Sequence, residues 1–302
     1  VYPDEYETFL SAIALVNFDL GSILSSSCLV TTDFYDRLVL ATVAPMAIVV
    51  GCAGTFMVAK TRNRSSPSAI PIVKHKHVSI VLFMVFFVYS SVSFTIFQTF
   101  VCDSLDDGKA YLRADYSITC NTERHKAYLL HASTMVCVYP IGVHAFFALW
   151  LVRNRRGLKK YDRETMSHLK SYRTLWAAYK PSCYYYEVVE FGRRIALTGA
   201  AVFVLPDTAR QVAIVLFLAL AFVFISESLS PFDSNSDMWI YRWGNGIILA
   251  SMYVALLLKV DLAGEESRSS AAITFLLIAA HVFMIFPVAW QAFPILKGLR
   301  AS

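Results

Sequence analysis

The sequence predicts an all-α protein, a polytopic bundle of about eight transmembrane helices forming a single membrane domain over residues 1–302. Of its 302 residues, 57% are hydrophobic and only 16% are charged, whereas a soluble globular chain is about 25% charged. The apolar residues fall into repeated blocks close to the roughly 20 residues that a helix needs to cross hydrocarbon. No segment alternates polar and apolar residues over about ten positions, which disfavours a β-barrel.

Eight candidate spans follow one another along the chain. They lie near 8–30, 37–59, 77–101, 127–152, 188–205, 209–228, 239–259 and 271–293. The first carries Asn17 and Asp19 near its middle and four serines after them, so it either crosses the membrane or lies as a helix in the interface. The other seven are predicted to cross, because a helix satisfies its own backbone polar groups in lipid.

The loops predict the orientation, since basic residues accumulate on the cytoplasmic side of a membrane. The loop after the second span has five basic residues and no acid, and the loop over 153–180 has nine basic residues and two acids. Two spans separate these loops, so both fall on the cytoplasmic side. The loop over 102–126 has nearly balanced charge and is predicted to lie outside.

The cysteines divide according to this topology. Cys28, Cys102 and Cys120 fall on the predicted outer side, where disulfides form. A bridge between Cys102 and Cys120 would close the longest outer loop, and it is the predicted pairing. Two alternatives stay open: Cys28 takes one of these partners, or none of the three pairs.

Four ionisable side chains mark the entrance of the fifth span, in the stretch YYYEVVEFGRRIALTG: Glu187, Glu190, Arg193 and Arg194. On a helix, Glu190 lies three and four residues before the arginines, so the groups can pair. Charge near hydrocarbon is a functional candidate by default, although arginines at a helix entrance also serve as snorkelling anchors. The sequence places the cluster at the inner membrane boundary, with Glu227 on the sixth span as a further partner for an arginine.

A conduit would need polar residues that face a shared cavity, and the candidates are few. Beyond the charge cluster they are Asn17, Asp19, Gln98 and Asn245. Pro140 and Gly142 interrupt the fourth span, and a proline removes a helical hydrogen bond, so a kink is expected near 136–140. In a channel that kink would act as a hinge, and in an anchor it would be a packing feature.

Catalytic and metal-binding motifs are absent from the sequence: it has no P-loop, Gly-x-Ser-x-Gly, His-Glu-x-x-His or Cys-x-x-Cys pattern. We therefore predict no enzyme, cofactor, metal or nucleic-acid partner. The chain opens VYPDEYETFL, with neither an initiator methionine nor a signal peptide. We expect it to be the C-terminal part of a larger protein.

A resemblance rests on five strings that follow in order along nearly the whole chain. They are VNFDLGSILSSSCL, FYDRLVLATVAPMAI, VYPIGVHAFFALWLVRNRRGL, LWAAYKPSCYYYEVVEFGRRIALTG and MYVALLLKVD. The chain thereby resembles a polytopic membrane domain of large algal, oomycete and other protist proteins, which carry cysteine-rich ectodomains upstream. Such domains are described as TRP-like, for their similarity to transient receptor potential and polycystin channels.

The resemblance implies an ion-channel or sensor module, with cation conduction as the expected activity. Two features depart from that pattern, because only SPFDSNSD joins spans six and seven where a pore loop would lie, and no ectodomain is present. A membrane anchor for a large extracellular assembly is the alternative function, and a transporter is the third. The predicted partners are the lipid bilayer, an extracellular ectodomain or filament, and further copies of the chain in a homo-oligomer. The predicted location is the plasma membrane or a ciliary or flagellar membrane.

Overall fold

A computed structural model describes residues 33–63, 69–105, 108–160, 169–204 and 208–260, together with 275, 278, 279 and 281–283. These residues belong to two compact units, which meet in the chain between Phe203 and Val204. The fold is mainly helical, as the sequence predicts. It also contains a small sheet that the hydropathy pattern does not predict.

Two long antiparallel helices begin the first unit. Helix α1 spans Phe34–Arg62, and helix α2 spans Ala69–Gln98. Asp33 caps α1, because its side chain accepts from the amide of Asp36 while the Asp36 side chain accepts from the amide of Asp33, an arrangement that satisfies two otherwise free donors. The rings of Phe56 and His77, 5.7 Å apart, join the end of α1 to the start of α2.

A three-stranded antiparallel sheet follows α2. Strands β1 (Cys102–Ser104), β2 (Ala110–Leu112) and β3 (Asp115–Thr119) lie in sequence order. The Cys102–Cys120 disulfide closes this segment, so the predicted pairing is confirmed. The sheet is fixed to the first turn of α1, because the amide of Phe34 donates to the Asp115 carboxylate over 3.2 Å. We call this end of the first unit the sheet end.

The predicted fourth span is a helix with a π-helical interruption. Helix α3 spans Glu123–Val136, the π-helical segment spans Cys137–Val143, and helix α4 spans His144–Arg153. Pro140 lies in the middle of the π-helical segment. A proline cannot donate a backbone hydrogen bond, and the wider π-helical turn accommodates that loss. A Cβ at Gly142 would lie 2.7 Å from the Cys137 carbonyl oxygen, so this turn requires glycine. The sequence predicts a kink here, and the structure has a π-helical turn, which is wider than an α-helical turn.

Short elements lead from α4 into the last helix of the first unit. Helix α5 spans Arg155–Lys160, 3₁₀ turns span Lys170–Leu175 and Pro181–Cys183, and helix α6 spans Tyr186–Phe203. The buried core includes Leu82, Phe147, Leu151, Leu175 and Phe191. This core draws on α2, α4, α6 and the first 3₁₀ turn, so the 3₁₀ turn over Lys170–Leu175 is packed into the bundle.

The second unit contains a helical hairpin. Helix α7 spans Ala209–Leu229, and helix α8 spans Asn235–Lys259. Ser230 ends α7 in a left-handed conformation (φ 40°), which allows the chain to reverse within a few residues. Glu227 and Arg242 face each other across this turn, with nitrogen–oxygen distances of 2.6 and 2.7 Å.

Four of the described helical stretches are long and apolar enough to cross a membrane: Phe34–Arg62, Ile70–Gln98, Glu123–Arg153 and Ala209–Leu229. The predicted number of eight spans is therefore not supported. Helix α6 carries four ionisable residues within 18 positions, and α8 begins with Asp237, Arg242 and other polar residues, so neither qualifies. The span predicted at 8–30 and most of that at 271–293 lie outside the described residues.

The sheet makes stability sensitive to acid through Asp103. The hydrogen bonds from Arg113 lower the pKa of the Asp103 carboxyl below its ordinary value of 3.8. A carboxylate with a lowered folded-state pKa stabilises the fold above its unfolded-state pKa, and this contribution is lost as the pH falls through the folded-state value. We expect Asp103→Asn to lower the free energy of unfolding by up to about 1 kcal/mol at neutral pH. In acid, the free energies of unfolding of the variant and the wild type should become equal.

Thermal unfolding of the detergent-solubilised protein between pH 7 and pH 2 measures this effect. Glu123→Gln is the matched control, because the Glu123 side chain is 89% exposed at the same end of the unit. It should leave the pH profile unchanged. A constant difference between wild type and Asp103→Asn over the whole pH range would contradict the assignment.

Candidate functional site

The charge cluster predicted at the fifth span forms a buried ion-pair network on α6. Arg193 Nε donates to both Glu190 oxygens, over 3.1 and 2.9 Å, and its Nη2 also contacts Glu190 Oε1. Arg194 Nε lies 3.5 Å from the same carboxylate. The Glu190 side chain is 8% exposed. One carboxylate thus holds both arginines at the i+3 and i+4 spacing that the sequence predicts.

Glu187, the fourth member of the cluster, bonds a tyrosine outside its helix. Its carboxylate accepts from the Tyr179 hydroxyl over 2.7 Å, and both side chains are buried. Burial, followed by the neighbouring Glu187 charge, raises the pKa of Tyr179, so the phenol stays protonated and donates. Tyr179 and Tyr186 are both core residues.

The cluster adjoins an aromatic core of the first unit. Phe191, beside Glu190, is fully buried, and its ring centroid lies 5.0 Å from that of Phe86, 4.6 Å from Tyr89 and 5.1 Å from Phe147. Phe86 and Tyr89 belong to the second half of α2. The apolar face of α6 therefore packs into an aromatic core, and the position of the cluster at the inner membrane boundary stays a prediction.

The predicted partner for Glu227 was an arginine of this cluster, and the structure gives it Arg242 instead. Both side chains of that pair are substantially exposed, 40% for Glu227 and 52% for Arg242. Glu227 lies two residues before the end of α7, and Arg242 lies seven residues after the start of α8. The short connection SPFDSNSD was the signal that these two positions could meet. The sequence did not predict this pair, because only the arginines of the charge cluster were considered as partners for Glu227.

The candidate hinge is hydrogen-bonded to its neighbours. The Tyr89 hydroxyl donates to the Pro140 carbonyl over 3.2 Å, and the Tyr139 hydroxyl donates to the Thr42 carbonyl over 2.6 Å. These bonds join the π-helical segment to α2 and α1. His144, which follows the segment, lies against Gly192 of α6, with its Cε1 atom 3.6 Å from the position of a Cβ there. Its Nδ1 atom is buried without a hydrogen-bond partner in the described part of the chain.

The structure describes two of the four residues of the predicted polar path. Asn17 and Asp19 lie outside the described residues. Gln98 lines a small pocket at the sheet end, and the Asn245 amide donates to the Tyr241 carbonyl of its own helix over 2.9 Å. The Asn245 amide is therefore hydrogen-bonded within its own helix, whereas Gln98 lines a pocket.

Two histidines, the buried His125 and the partly buried His131, were not assigned specific partners from the sequence. His125 Nδ1 lies 2.8 Å from the Tyr35 hydroxyl, and His131 Nε2 lies 3.0 Å from the Thr42 hydroxyl. His125 also groups with Cys102 and Cys120 within 4.8 Å. The two sulfurs are bonded to each other and are not the free thiolates that bind metals, so this group fits a metal poorly in the disulfide form.

Comparison with known proteins gives one distant similarity to report. A protein named cysteine repeat modular protein A, from Toxoplasma gondii, is 26% identical over 215 residues. The match covers 67% of this chain and 7% of that protein, so the chain spans less than a tenth of its relative's length. No protein-family model matches the chain, and no solved structure matches it.

The buried ion pairs should matter far more for stability than the exposed one. Glu190→Gln leaves two arginines without their carboxylate in a buried environment, and breaking a buried pair costs about 3–5 kcal/mol. Glu227→Gln, the same chemical change at the exposed pair, should cost less than about 1 kcal/mol. Thermal unfolding of both variants in one detergent measures the difference. Small and equal losses would show that the Glu190 pairs are solvated.

Proposed function

We propose that the chain is a membrane anchor module, whose role is to hold a larger extracellular assembly in the bilayer. The four apolar stretches support a membrane role. The Toxoplasma gondii relative supports the rest, because its name describes repeated cysteine modules and the match covers 7% of its length. A segment of that relative size in a large protein suits an anchor for the remainder.

The observation that carries the proposal is the apolar lining of the cavity in the first unit. Where the described part of α1, α2 and the π-helical segment leaves a cavity, of about 220 Å³, its walls are apolar side chains that include Pro45, Val49, Val85 and Val138. The Glu190 carboxylate of α6 is paired with the Arg193 and Arg194 guanidinium groups, and none of the three lines that cavity. A water-filled path would need polar groups facing a shared cavity, whereas an anchor is stable with a dry core.

Ion flux tests this proposal directly. The purified chain, reconstituted in liposomes, should pass K⁺, Na⁺ and Ca²⁺ no faster than empty liposomes, at any membrane voltage or bilayer tension applied. An ionophore added at the end confirms that the vesicles are sealed. Flux that rises in proportion to the protein added would overturn the anchor in favour of a channel.

A TRP-like channel or sensor module is the second candidate, and the π-helical segment favours it. π-helical turns within α-helices are frequent at functional sites. The hydroxyls of Tyr89 and Tyr139 join this one, which contains Pro140, to α2 and α1. If flux is found, Pro140→Ala should change it at least several-fold, because that substitution lets a regular helix form. A transporter has no specific support among the described residues.

The proposed orientation puts the sheet end outside the cell. Cys102 and Cys120 form a disulfide there, which suits an oxidising compartment, whereas Lys60, Arg62 and Arg153 lie at the opposite ends of their helices. A plasma, ciliary or flagellar membrane fits this arrangement. The outer sheet is then available to an ectodomain or filament, and association of several copies is part of the same proposal.

Cysteine labelling in intact cells tests the orientation. Thr61→Cys and Glu123→Cys place single thiols at opposite ends of the first unit, in a background where Cys28, Cys52, Cys137 and Cys183 are serine. A membrane-impermeant maleimide should label Glu123→Cys from outside and reach Thr61→Cys only after permeabilisation. The reverse pattern would invert the proposed topology.

A further inference from the structure

Arg37 lies in an unusual position at the sheet end of the first unit. It belongs to the first turn of α1, where the helix dipole disfavours a positive charge. Its Nε atom is buried and has no hydrogen-bond partner within the described part of the chain. A buried donor left without a partner costs about 1–3 kcal/mol, and more in a charged group, so the position calls for a ligand.

The carboxylates near Arg37 are already engaged elsewhere. Asp115 accepts from the Phe34 amide over 3.2 Å, from the Ser117 amide over 3.1 Å and from the Ser117 hydroxyl over 2.6 Å. Asp33 binds Arg124 over 2.6 Å. Arg37 Cζ lies 5.8 Å from the centre of the Phe34 ring, and the Arg37 charge also acts on the Asp115 carboxylate. No hydrogen bond joins Arg37 to either carboxylate, and its guanidinium group makes no hydrogen bond within the described residues.

Arg37 lines a small, mainly polar pocket between α1, α2 and the sheet. Phe34, Arg37, Thr95, Gln98 and Ala114 line it, and its volume is about 80 Å³. One water needs roughly 10–15 Å³ of such space, so the pocket holds a group of several heavy atoms. The Gln98 carboxamide makes no hydrogen bond within the described residues, and the Thr95 hydroxyl donates to the Ser91 carbonyl over 3.1 Å.

We propose that this pocket binds a phosphate oxyanion, held by the Arg37 guanidinium and the Gln98 amide group. The two side chains offer donors that converge on one space, and a guanidinium matches the geometry of phosphate oxygens better than any other side chain. Cations are disfavoured by the arginine charge. The site goes beyond the anchoring role, because an anchor requires no ligand there.

Two sources can supply this chemistry. The pocket lies between the first turn of α1 and the last turn of α2, which is where lipid headgroups lie if these helices cross a bilayer. A phospholipid phosphodiester can therefore enter from the membrane, and inorganic phosphate can enter from solution. Both present the same negatively charged oxygens to Arg37.

Thermal unfolding of the whole chain in an uncharged sugar detergent tests the site in two arms. The first titrates inorganic phosphate against chloride at equal ionic strength. The second titrates a short-chain phosphatidylglycerol against a diacylglycerol of the same chain length, which lacks the phosphate. We expect a saturable rise in midpoint temperature in at least one arm, and an apparent affinity at least tenfold weaker in Arg37→Gln.

Arg124→Gln is the matched control, since Arg124 lies at the same end, pairs with Asp33 and has a side chain that is 60% exposed. It should bind as wild type does. Gln98→Leu removes the second donor without touching a charge, so it should weaken binding even if Arg37→Gln folds poorly. A response to phosphate assigns the free anion, and a response to phosphatidylglycerol alone assigns the lipid headgroup. No response in either arm, or equal responses in wild type and both site variants, would overturn the proposal.

Discussion

The ring of Phe191 is the contact on which the first unit depends. It meets Phe86 and Tyr89 of α2 and Phe147 of α4 at centroid distances of 4.6–5.1 Å, with the rings tilted edge to face. Such pairs contribute about 0.5–1.5 kcal/mol each beyond the area they bury. They also fix the rotation of α6 about its axis. Because Glu190 adjoins Phe191, the aromatic contact carries the charge cluster into the bundle.

That constraint explains why the charges of α6 are paired so completely. A carboxylate or guanidinium group that is drawn into an apolar core must find its opposite there. Glu190 meets this need with two arginines on its own helix, and Glu187 meets it with the Tyr179 hydroxyl. The cluster therefore satisfies itself, and it stabilises the unit without requiring an ion from outside.

Hydroxyl groups connect the interrupted helix to its neighbours in the same way. Tyr89 bonds the carbonyl of Pro140, and Tyr139 bonds that of Thr42. A π-helical turn leaves carbonyl groups short of partners, and lipid offers none. Tyr89 thus donates to a carbonyl of the segment, and Tyr139 donates from the segment to a carbonyl of α1. A motion of this segment would have to break both bonds together, which favours a stable support over a freely moving hinge.

The two ends of the first unit are built from different chemistry. At the sheet end, the disulfide, the Asp33–Arg124 pair and the bond from Phe34 to Asp115 hold the strands on the helices. At the other end, basic residues close α1 and α4. The first arrangement suits a rigid surface that bears load from an ectodomain. The second suits a membrane face where positive charge accumulates.

The sequence by itself determined the helical membrane character, the Cys102–Cys120 pairing and the spacing that lets Glu190 hold both arginines. These features follow from composition, loop length and helical periodicity, which are local properties. Tertiary structure alone decided the burial of the charge cluster, the sheet between Cys102 and Cys120, and the pocket that Arg37 and Gln98 both line. The physical reason is that each of these depends on which helix faces meet, and such packing joins residues far apart in the chain that no local pattern records.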